Sequence, residues 1–429
     1  MKTRSKLSEN IVSLFALQGA NYALPLLTIP YLTRTLGPEN FGKAAVAQAI
    51  AVYFVILTDY GFNLSATKKV VEARGNIDEI SQLAASVYAA KLILAAISLL
   101  AMTLAAAITP GLDGDYVLIL ASYTAVLGTL MFPLWLFQGL QKMKQVSLIM
   151  IAARLTTTAS IFVFVQNPQD FRIAVGLQGA ATVLAALISF VVLPREMKFS
   201  PKLPVLRQVI GELRDGWHVF LATAGGILYT GSNVIFLALV APPMLVGQYA
   251  AAEKFIKAVQ SLISPISQAI YPHIASTLLQ SRSKALLLLR KLIRIQSAAI
   301  FAVSLGILLF SEHISNLLFG PEFQAAGNLI QIMSLIPLLI AINNVLGSQV
   351  LVQFKASRLL VISILVPALL HLALLYPVAL SLSAVGVCIL AVWSEFLVAG
   401  IRVVGIRKHH PDIANALWGS QRKGQAASS

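Results

Sequence analysis

Residues 83–108 read LAASVYAAKLILAAISLLAMTLAAAI, and from Leu83 to Ile108 a single charge, Lys91, interrupts the apolar text. A helix needs about 20 mostly apolar residues to cross the hydrocarbon core of a bilayer. The run does not alternate and is about twice the length of a barrel strand, which excludes a transmembrane β-barrel. Stretches of the same kind recur at 10–33, 41–63, 116–138, 146–166, 172–193, 217–240, 246–270, 292–310, 324–346, 358–380 and 383–405. With 83–108 they make twelve expected spans, and the fold class is an all-α, polytopic membrane protein.

The composition agrees. The 429 residues are 58% hydrophobic and 11% charged, with a mean hydropathy of +0.81. A soluble domain carries about a quarter charged residues, so the solvent of this chain is largely lipid. The net charge of +15 would suit nucleic acid only if basic residues were interleaved with aromatics on a solvated face. Here they sit in short loops between apolar runs, which points to a membrane surface and excludes nucleic acid as a partner. The lone cysteine, Cys388, excludes an internal disulfide. No cleavable leader is expected, because the apolar stretch after Lys2, Arg4 and Lys6 is long and rich in proline.

Orientation follows from the loops. With the N-terminus in the cytoplasm, inside loops hold Lys68, Lys69 and Arg74; Lys142 and Lys144; and Arg195, Lys198, Lys202, Arg207 and Arg214. Further along they hold Arg282, Lys284, Arg290, Lys291 and Arg294, then Lys355 and Arg358. Roughly 25 of the 32 basic residues fall inside, against about three outside (Arg34, Lys43, Arg172). Both termini are expected in the cytoplasm.

The longest basic loop divides the spans six and six. The reading gives an N-terminal lobe at 1–193, a basic cytoplasmic linker at 194–215, a C-terminal lobe at 216–408, and a disordered cytoplasmic tail at 409–429. Each lobe opens on similar text. Leu36-Gly37-Pro38-Glu39-Asn40-Phe41-Gly42 leads into Ala44 to Gln48, and Ala241-Pro242-Pro243-Met244-Leu245-Val246-Gly247 leads into Gln248 to Glu253. Six spans per repeat make the repeats parallel, an arrangement that suits a central cavity and alternating access.

Charges inside spans are costly and are functional candidates by default. Glu253, Lys257, Gln260, Ser264, Ser267 and Tyr271 follow one another at spacings of four, three, four, three and four, on one helical face. Such a stripe must face protein or water. It reads either as a polar seam between helices, with Glu253 and Lys257 pairing one turn apart, or as a cavity wall offering Lys254 and Lys257 to an anionic headgroup. Gln18 and Asn21 share a face with Pro25 and Thr28 in the first span, where Pro25 and Pro30 permit bending. Lys91 and Arg154 lie about 12 Å inside their spans, within partial reach of the interface by snorkelling. Arg154 also suits phosphate. Glu395 lies near mid-depth, and Asp59 near a cytoplasmic helix end; with Glu253 they are candidates for coupling an ion. His218 and His371 read as packing or hydrogen-bonded residues. The sequence has no Walker lysine loop and no metal-ligand spacing, so no cofactor, metal or catalytic residue is expected.

Gln18 to Gln48 (QGANYALPLLTIPYLTRTLGPENFGKAAVAQ) resembles the N-terminal signature of Wzx-type O-antigen flippases. Asp59 to Thr67 (DYGFNLSAT), Trp135 to Gly139 (WLFQG) with Lys142 to Lys144, Asp215 to Phe220 (DGWHVF), and Ile263 to Pro272 are similar to later blocks of the same family. The resemblance runs in order along nearly the whole chain. It implies membership of the multidrug/oligosaccharidyl-lipid/polysaccharide exporter superfamily, and translocation of an undecaprenyl-diphosphate-linked oligosaccharide from the cytoplasmic to the periplasmic leaflet of the inner membrane. It also implies the surrounding membrane lipid, a polysaccharide polymerase and chain-length machinery as partners. Under this reading Lys254, Lys257, Arg154 and Lys91 attract the diphosphate, and Gln18, Asn21, Gln260 and Tyr271 accommodate sugars. A drug antiporter of the same superfamily, and a membrane-embedded polymerase or ligase, are the alternatives at this stage.

Overall fold

A computed structural model of the chain describes residues 2–73, 76–112, 114–193 and 204–418; the side chains of residues 2–23, 229, 230, 264, 265 and 269 lie outside that description. Its helices are α1 (Lys2–Asp59), α2 (Phe62–Glu72), α3 (Ile77–Ile108), α4 (Tyr116–Met131), α5 (Leu134–Gly139), α6 (Met143–Phe164), α7 (Phe171–Val192) and α8 (Leu206–Ala238). There follow α9 (Pro243–Ser261), α10 (Ile263–Gln280), α11 (Arg282–Phe319), α12 (Gln324–Met333), α13 (Ile336–Asn344), α14 (Ser357–His409) and α15 (Pro411–Trp418). A π-helical turn, Val345–Leu351, extends α13. No strand occurs among the described residues. In lipid a helix satisfies its backbone groups internally, which an open strand cannot do.

Eight helices are long and apolar enough to cross a membrane, or up to nine if the bent pair Leu206–Leu228 and Gly231–Ala238 counts as one span. Two of the long helices are broken inside. In α1 the backbone leaves helical geometry at Gly37 (φ 70°, ψ 168°), a conformation glycine adopts without a side-chain clash, and Pro38 restarts the helix. In α14 the break is at Ser383, whose φ of 52° is uncommon for a residue with a side chain.

Two expectations are corrected here. The span expected at 246–270 is not one helix, since α9 ends at Ser261 and α10 begins at Ile263. Pro265 has no N–H to donate to the Ser261 carbonyl, and the chain tightens instead, with Leu262 N–H bonding Val259 at 3.2 Å. The tail expected to be disordered from 409 contains α15, whose Ile413, Ala414 and Leu417 are buried against Leu289, Leu351 and Ile406.

The chain divides into two compact units: residues 1–251 with 316–325, and residues 252–315 with 326–429. The first is built on α1 to α8. Its core collects Phe62, Val87, Ala90, Trp135, Phe137 and Ala153. Its tightest helix pair is α4 with α7. A side chain added at Gly128 would strike Thr182, one at Gly179 would strike Thr124, and the Thr124 hydroxyl donates to the Gly176 carbonyl at 3.2 Å. Close backbone approach through small residues is how helices associate where no hydrophobic drive separates protein from lipid.

The same unit contains a reciprocal backbone contact. A Cβ on Gly42 would overlap the Pro243 carbonyl oxygen and lie 2.8 Å from the Gly247 nitrogen. A Cβ on Gly247 would overlap the Pro38 carbonyl oxygen and lie 3.0 Å from the Gly42 nitrogen. The two similar stretches, Pro38 to Gly42 and Pro243 to Gly247, therefore meet glycine to carbonyl in both directions. Around them Gln248 donates to the Glu322 carbonyl at 2.7 Å, and Arg34 donates to the Leu317 carbonyl.

The second unit gathers Ile274, Leu289, Val345, Leu351 and Ile406 into its core. Its polar seams run between α10, α13 with its π-helical turn, and α14.

Candidate functional sites

Three groups of intramembrane polar residues stand out, one in the first unit and two in the second. The first surrounds Asp59, at the C-terminus of α1. Its carboxylate lies 3.5 Å from the Lys91 ammonium of α3 and accepts a 2.8 Å bond from the Asn63 amide of α2. Lys91 is 1% exposed and Asp59 23%. Lys91 also donates to the Thr129 carbonyl at 3.0 Å. That carbonyl is free of helix bonding because its partner four residues on is Pro133, which has no N–H. The group borders a cavity of about 270 Å³, lined also by Gln138, Thr182 and apolar side chains such as Phe132, Leu134 and Met150.

Snorkelling therefore does not describe Lys91. Its side chain turns inward to a carboxylate rather than outward to water. A buried pair of this kind is strongly destabilised by loss of either partner, by about 3–5 kcal/mol, because the remaining charge is left in an apolar surround.

The second group is the stripe on α9 and α10, which the break at Leu262 divides. On α9, Glu253 and Lys257 form an ion pair at 3.1 Å, with Lys257 49% exposed and Glu253 13%. Lys254 and Gln260 are half-buried. On α10, Ser267 is buried; its hydroxyl donates to the Asn344 side chain and, with its carbonyl, accepts from the Gln349 amide at 3.0 Å. Tyr271 is exposed, and its carbonyl accepts from Gln353 at 3.3 Å. The α10 part is a polar seam, while the α9 part keeps one accessible ammonium. The side chain of Ser264 lies outside the described residues, as do those of Gln18 and Asn21.

The third group is centred on α14. Glu395 accepts from the Asn343 amide at 2.8 Å, and its carbonyl from the same amide at 3.1 Å. Two turns on, Arg402 is 6% exposed, donates to the Ser363 hydroxyl at 3.0 Å and to the Asn343 carbonyl, and packs over Gly347. Glu395 thus belongs to a network with a buried arginine that the sequence reading did not single out. The seven-residue spacing of Glu395 and Arg402 places them on one face and was the available signal. His371 is buried and its Nδ1 lies 2.8 Å from the Ser394 hydroxyl.

Arg154 is half-buried on α6. A further cluster was also missed. Lys69 of α2 holds both Glu212 oxygens at 2.8 Å and Asp215 at 2.7 Å on α8, while Tyr60 stacks on Phe220 with ring centroids 4.7 Å apart. The blocks Asp59 to Thr67 and Asp215 to Phe220 are thus partners in space. Among the described residues no group of three or more His, Cys, Asp or Glu is placed to hold a metal ion.

Against this geometry, comparison with known proteins is informative. A protein of Escherichia coli (strain K12) named as a candidate O-antigen transporter is 34% identical over 403 residues, covering 94% of this chain and 97% of its own. One of the same name from Shigella dysenteriae is 30% identical over 395 residues, covering 91% and 98%. The solved structure of the lipid II flippase MurJ in an inward closed conformation matches with a TM-score of 0.72 over 95% of this chain and 91% of its own, at 12% identity, which shows a shared fold. The family profile described as polysaccharide biosynthesis protein matches residues 7–278, and with near full-length similarity to the two transporters it establishes that the chain belongs to that family.

Proposed function

We propose that the protein is a flippase that moves a lipid-linked oligosaccharide across the membrane by alternating access. The observation that carries this reading is the near full-length similarity to O-antigen transporters, on a fold shared with a lipid II flippase. In detail, the substrate is an undecaprenyl-diphosphate-linked repeat unit passed from the cytoplasmic to the periplasmic leaflet of the inner membrane. Reading two spans from each of the broken helices α1 and α14, and counting α9–α10 as one interrupted span, supports twelve spans and so both termini on one side of the membrane; the basic loops favour the cytoplasm for that side. A polymerase and chain-length machinery then receive the unit outside.

The chemistry of α9 suits the substrate. One carboxylate (Glu253) and two ammonium groups (Lys254, Lys257) leave that helix a net charge of −1 + 2 = +1, with Lys257 accessible. We assign the diphosphate to Lys254, Lys257 and Arg154, and the sugars to Gln18, Asn21, Gln260 and Tyr271. Lys91 leaves this set, because Asp59 holds it. In a cell negative inside, outward movement of an anion is downhill by ~2.3 kcal/mol per charge per 100 mV.

The test is deletion followed by analysis of lipid-linked intermediates. Complete repeat units should accumulate on the cytoplasmic side. Accumulation of unpolymerised units in the periplasm would overturn the reading in favour of a polymerase.

A further inference from the structure

We propose that the cavity formed by Lys43 and the starts of α4 and α7 binds one phospholipid of the bilayer, holding its phosphate, with an acyl chain along α4. The cavity measures about 490 Å³, within the roughly 300–1,000 Å³ of small-molecule sites. Asp115 and Arg172 line it as a forked pair. The Arg172 Nε donates to both carboxylate oxygens, at 3.1 and 2.8 Å, and Nη2 lies 2.8 Å from one of them. Asp115 is itself fixed, because its Oδ1 accepts from the Leu118 N–H at 3.0 Å as the cap of α4. The Phe171 ring centroid lies 4.9 Å from the guanidinium carbon. Arg172 is thus held in one pose with 45% of its side chain exposed. Its Nη1 makes no bond to protein among the described residues. Lys43 supplies a second cation. Its partner Glu39 is 59% exposed, and a surface pair of that kind is weak enough to reorganise around a ligand.

Charge and shape decide the occupant. Among the described residues the charged side chains lining the cavity are Lys43, Asp115 and Arg172, which sum to 2 − 1 = +1; Asp113 lies outside the described residues. A net positive lining calls for an anion. The guanidinium spends one edge on Asp115 and keeps the other, in the planar donor geometry that matches a phosphate. The surface below the cavity is apolar. Val117 (62% exposed), Leu120 (55%) and Leu127 (36%) recur at spacings of three and seven on one side of α4. Val117 also lines the cavity, and ten residues of helix carry the track ~15 Å from it, about half of the ~30 Å hydrocarbon core. A soluble anion would use the cavity alone, whereas a phospholipid uses the cavity and the track. In the orientation proposed above the headgroup lies in the periplasmic leaflet. The binding itself does not rest on the flippase reading.

The experiment is native mass spectrometry of the purified full-length protein in detergent, titrated with palmitoyl-oleoyl phosphatidylglycerol. One lipid should bind more tightly than the rest. Arg172→Gln should weaken it about tenfold or more, since charge-assisted bonds to the phosphate are lost. That change strands Asp115, so Arg172→Gln with Asp115→Asn is the variant without an unmatched charge; asparagine still caps α4, and the loss should be the same. Lys43→Gln should add to the loss, whereas Lys284→Gln, at an exposed position far along the chain, should leave the lipid in place. Glycerol phosphate, which has the phosphate without the chains, should displace the lipid only at concentrations about a hundredfold higher or more. Equal lipid affinity in the unsubstituted protein and the double variant would overturn the proposal. Displacement by an equal concentration of glycerol phosphate would overturn it in favour of a soluble anion. Displacement by undecaprenyl phosphate at lower concentration than phosphatidylglycerol would overturn it in favour of a polyprenyl lipid. These binding results stand whatever the deletion strain accumulates, so the two readings fail separately.

Discussion

Replacing Gly42 by Ala tests the reciprocal backbone contact between Pro38–Gly42 and Pro243–Gly247. In an exposed helix interior, Gly→Ala is favourable by up to about 1 kcal/mol, because alanine loses less backbone freedom on folding. Gly306 of α11 provides that baseline, since nothing lies within 4 Å of a Cβ built there. At Gly42 the added carbon would occupy the position of the Pro243 carbonyl oxygen, which belongs to a helix terminus and not to a flexible side chain. The helices must therefore separate, at an overpacking cost of about 1–3 kcal/mol, and the separation also strains the Gln248–Glu322 bond. The propensity gain is common to both changes, so Gly42→Ala should be less stable than Gly306→Ala by about 1–3 kcal/mol. Gly247→Ala should match it, because the contact is reciprocal. The double variant should cost less than the sum, since a gap opened for one methyl admits the other. The assay is the fraction of monodisperse protein surviving a temperature series in detergent. If Gly42→Ala survives as well as Gly306→Ala, the contact does not exist in the folded protein.

Three further outcomes follow from the ionic groups. Lys69→Ala leaves Glu212 and Asp215 facing each other without a cation and should cost about 1–3 kcal/mol, read as a lower melting temperature, whereas Lys69→Met with Glu212→Gln should recover part of it. Arg402→Lys should be nearly as unstable as Arg402→Ala, because a single ammonium cannot grip Ser363 and the Asn343 carbonyl together; stability equal to the unsubstituted protein would show that charge alone matters there. On α9, Lys257→Gln brings the net charge to zero and Lys257→Glu to −2 + 1 = −1, so surface polysaccharide should fall in that order at unchanged protein level. Full export by Lys257→Glu would remove the diphosphate from this helix.

The membrane architecture was legible because apolar length is a local property, readable one window at a time. The break at Gly37 was equally local, announced by Gly37-Pro38, and the structure has a positive φ there. The break at Leu262 was also written in the chain, in Pro265, but the polar stripe at helical spacing ran straight through it and suggested a continuous helix. What could not be read is pairing between distant spans. Asp59 and Lys91 are thirty-two residues apart (91 − 59), on different helices, and no periodicity connects them. Considered alone, each had an acceptable account, one as a solvated helix end and the other as a snorkelling lysine. Only tertiary packing of α1 on α3 converts two unremarkable charges into one buried pair.

The placement of these charges carries an argument about function. An isolated ion inside an apolar medium is so costly that a fold must either neutralise it or keep it for a ligand. In the first unit Asp59 and Lys91 cancel. In the second unit Glu395 and Arg402 share Asn343, the one bonding its amide and the other its carbonyl, and they too sum to zero. On α9 the formal charges do not sum to zero: Glu253 and Lys257 form an ion pair in which Lys257 keeps half its side chain exposed, and Lys254 adds a second ammonium. The retained charge is explained if it meets an anion that arrives with the substrate, and a lipid diphosphate is such an anion. The neutral pairs then serve a different end, holding helices together.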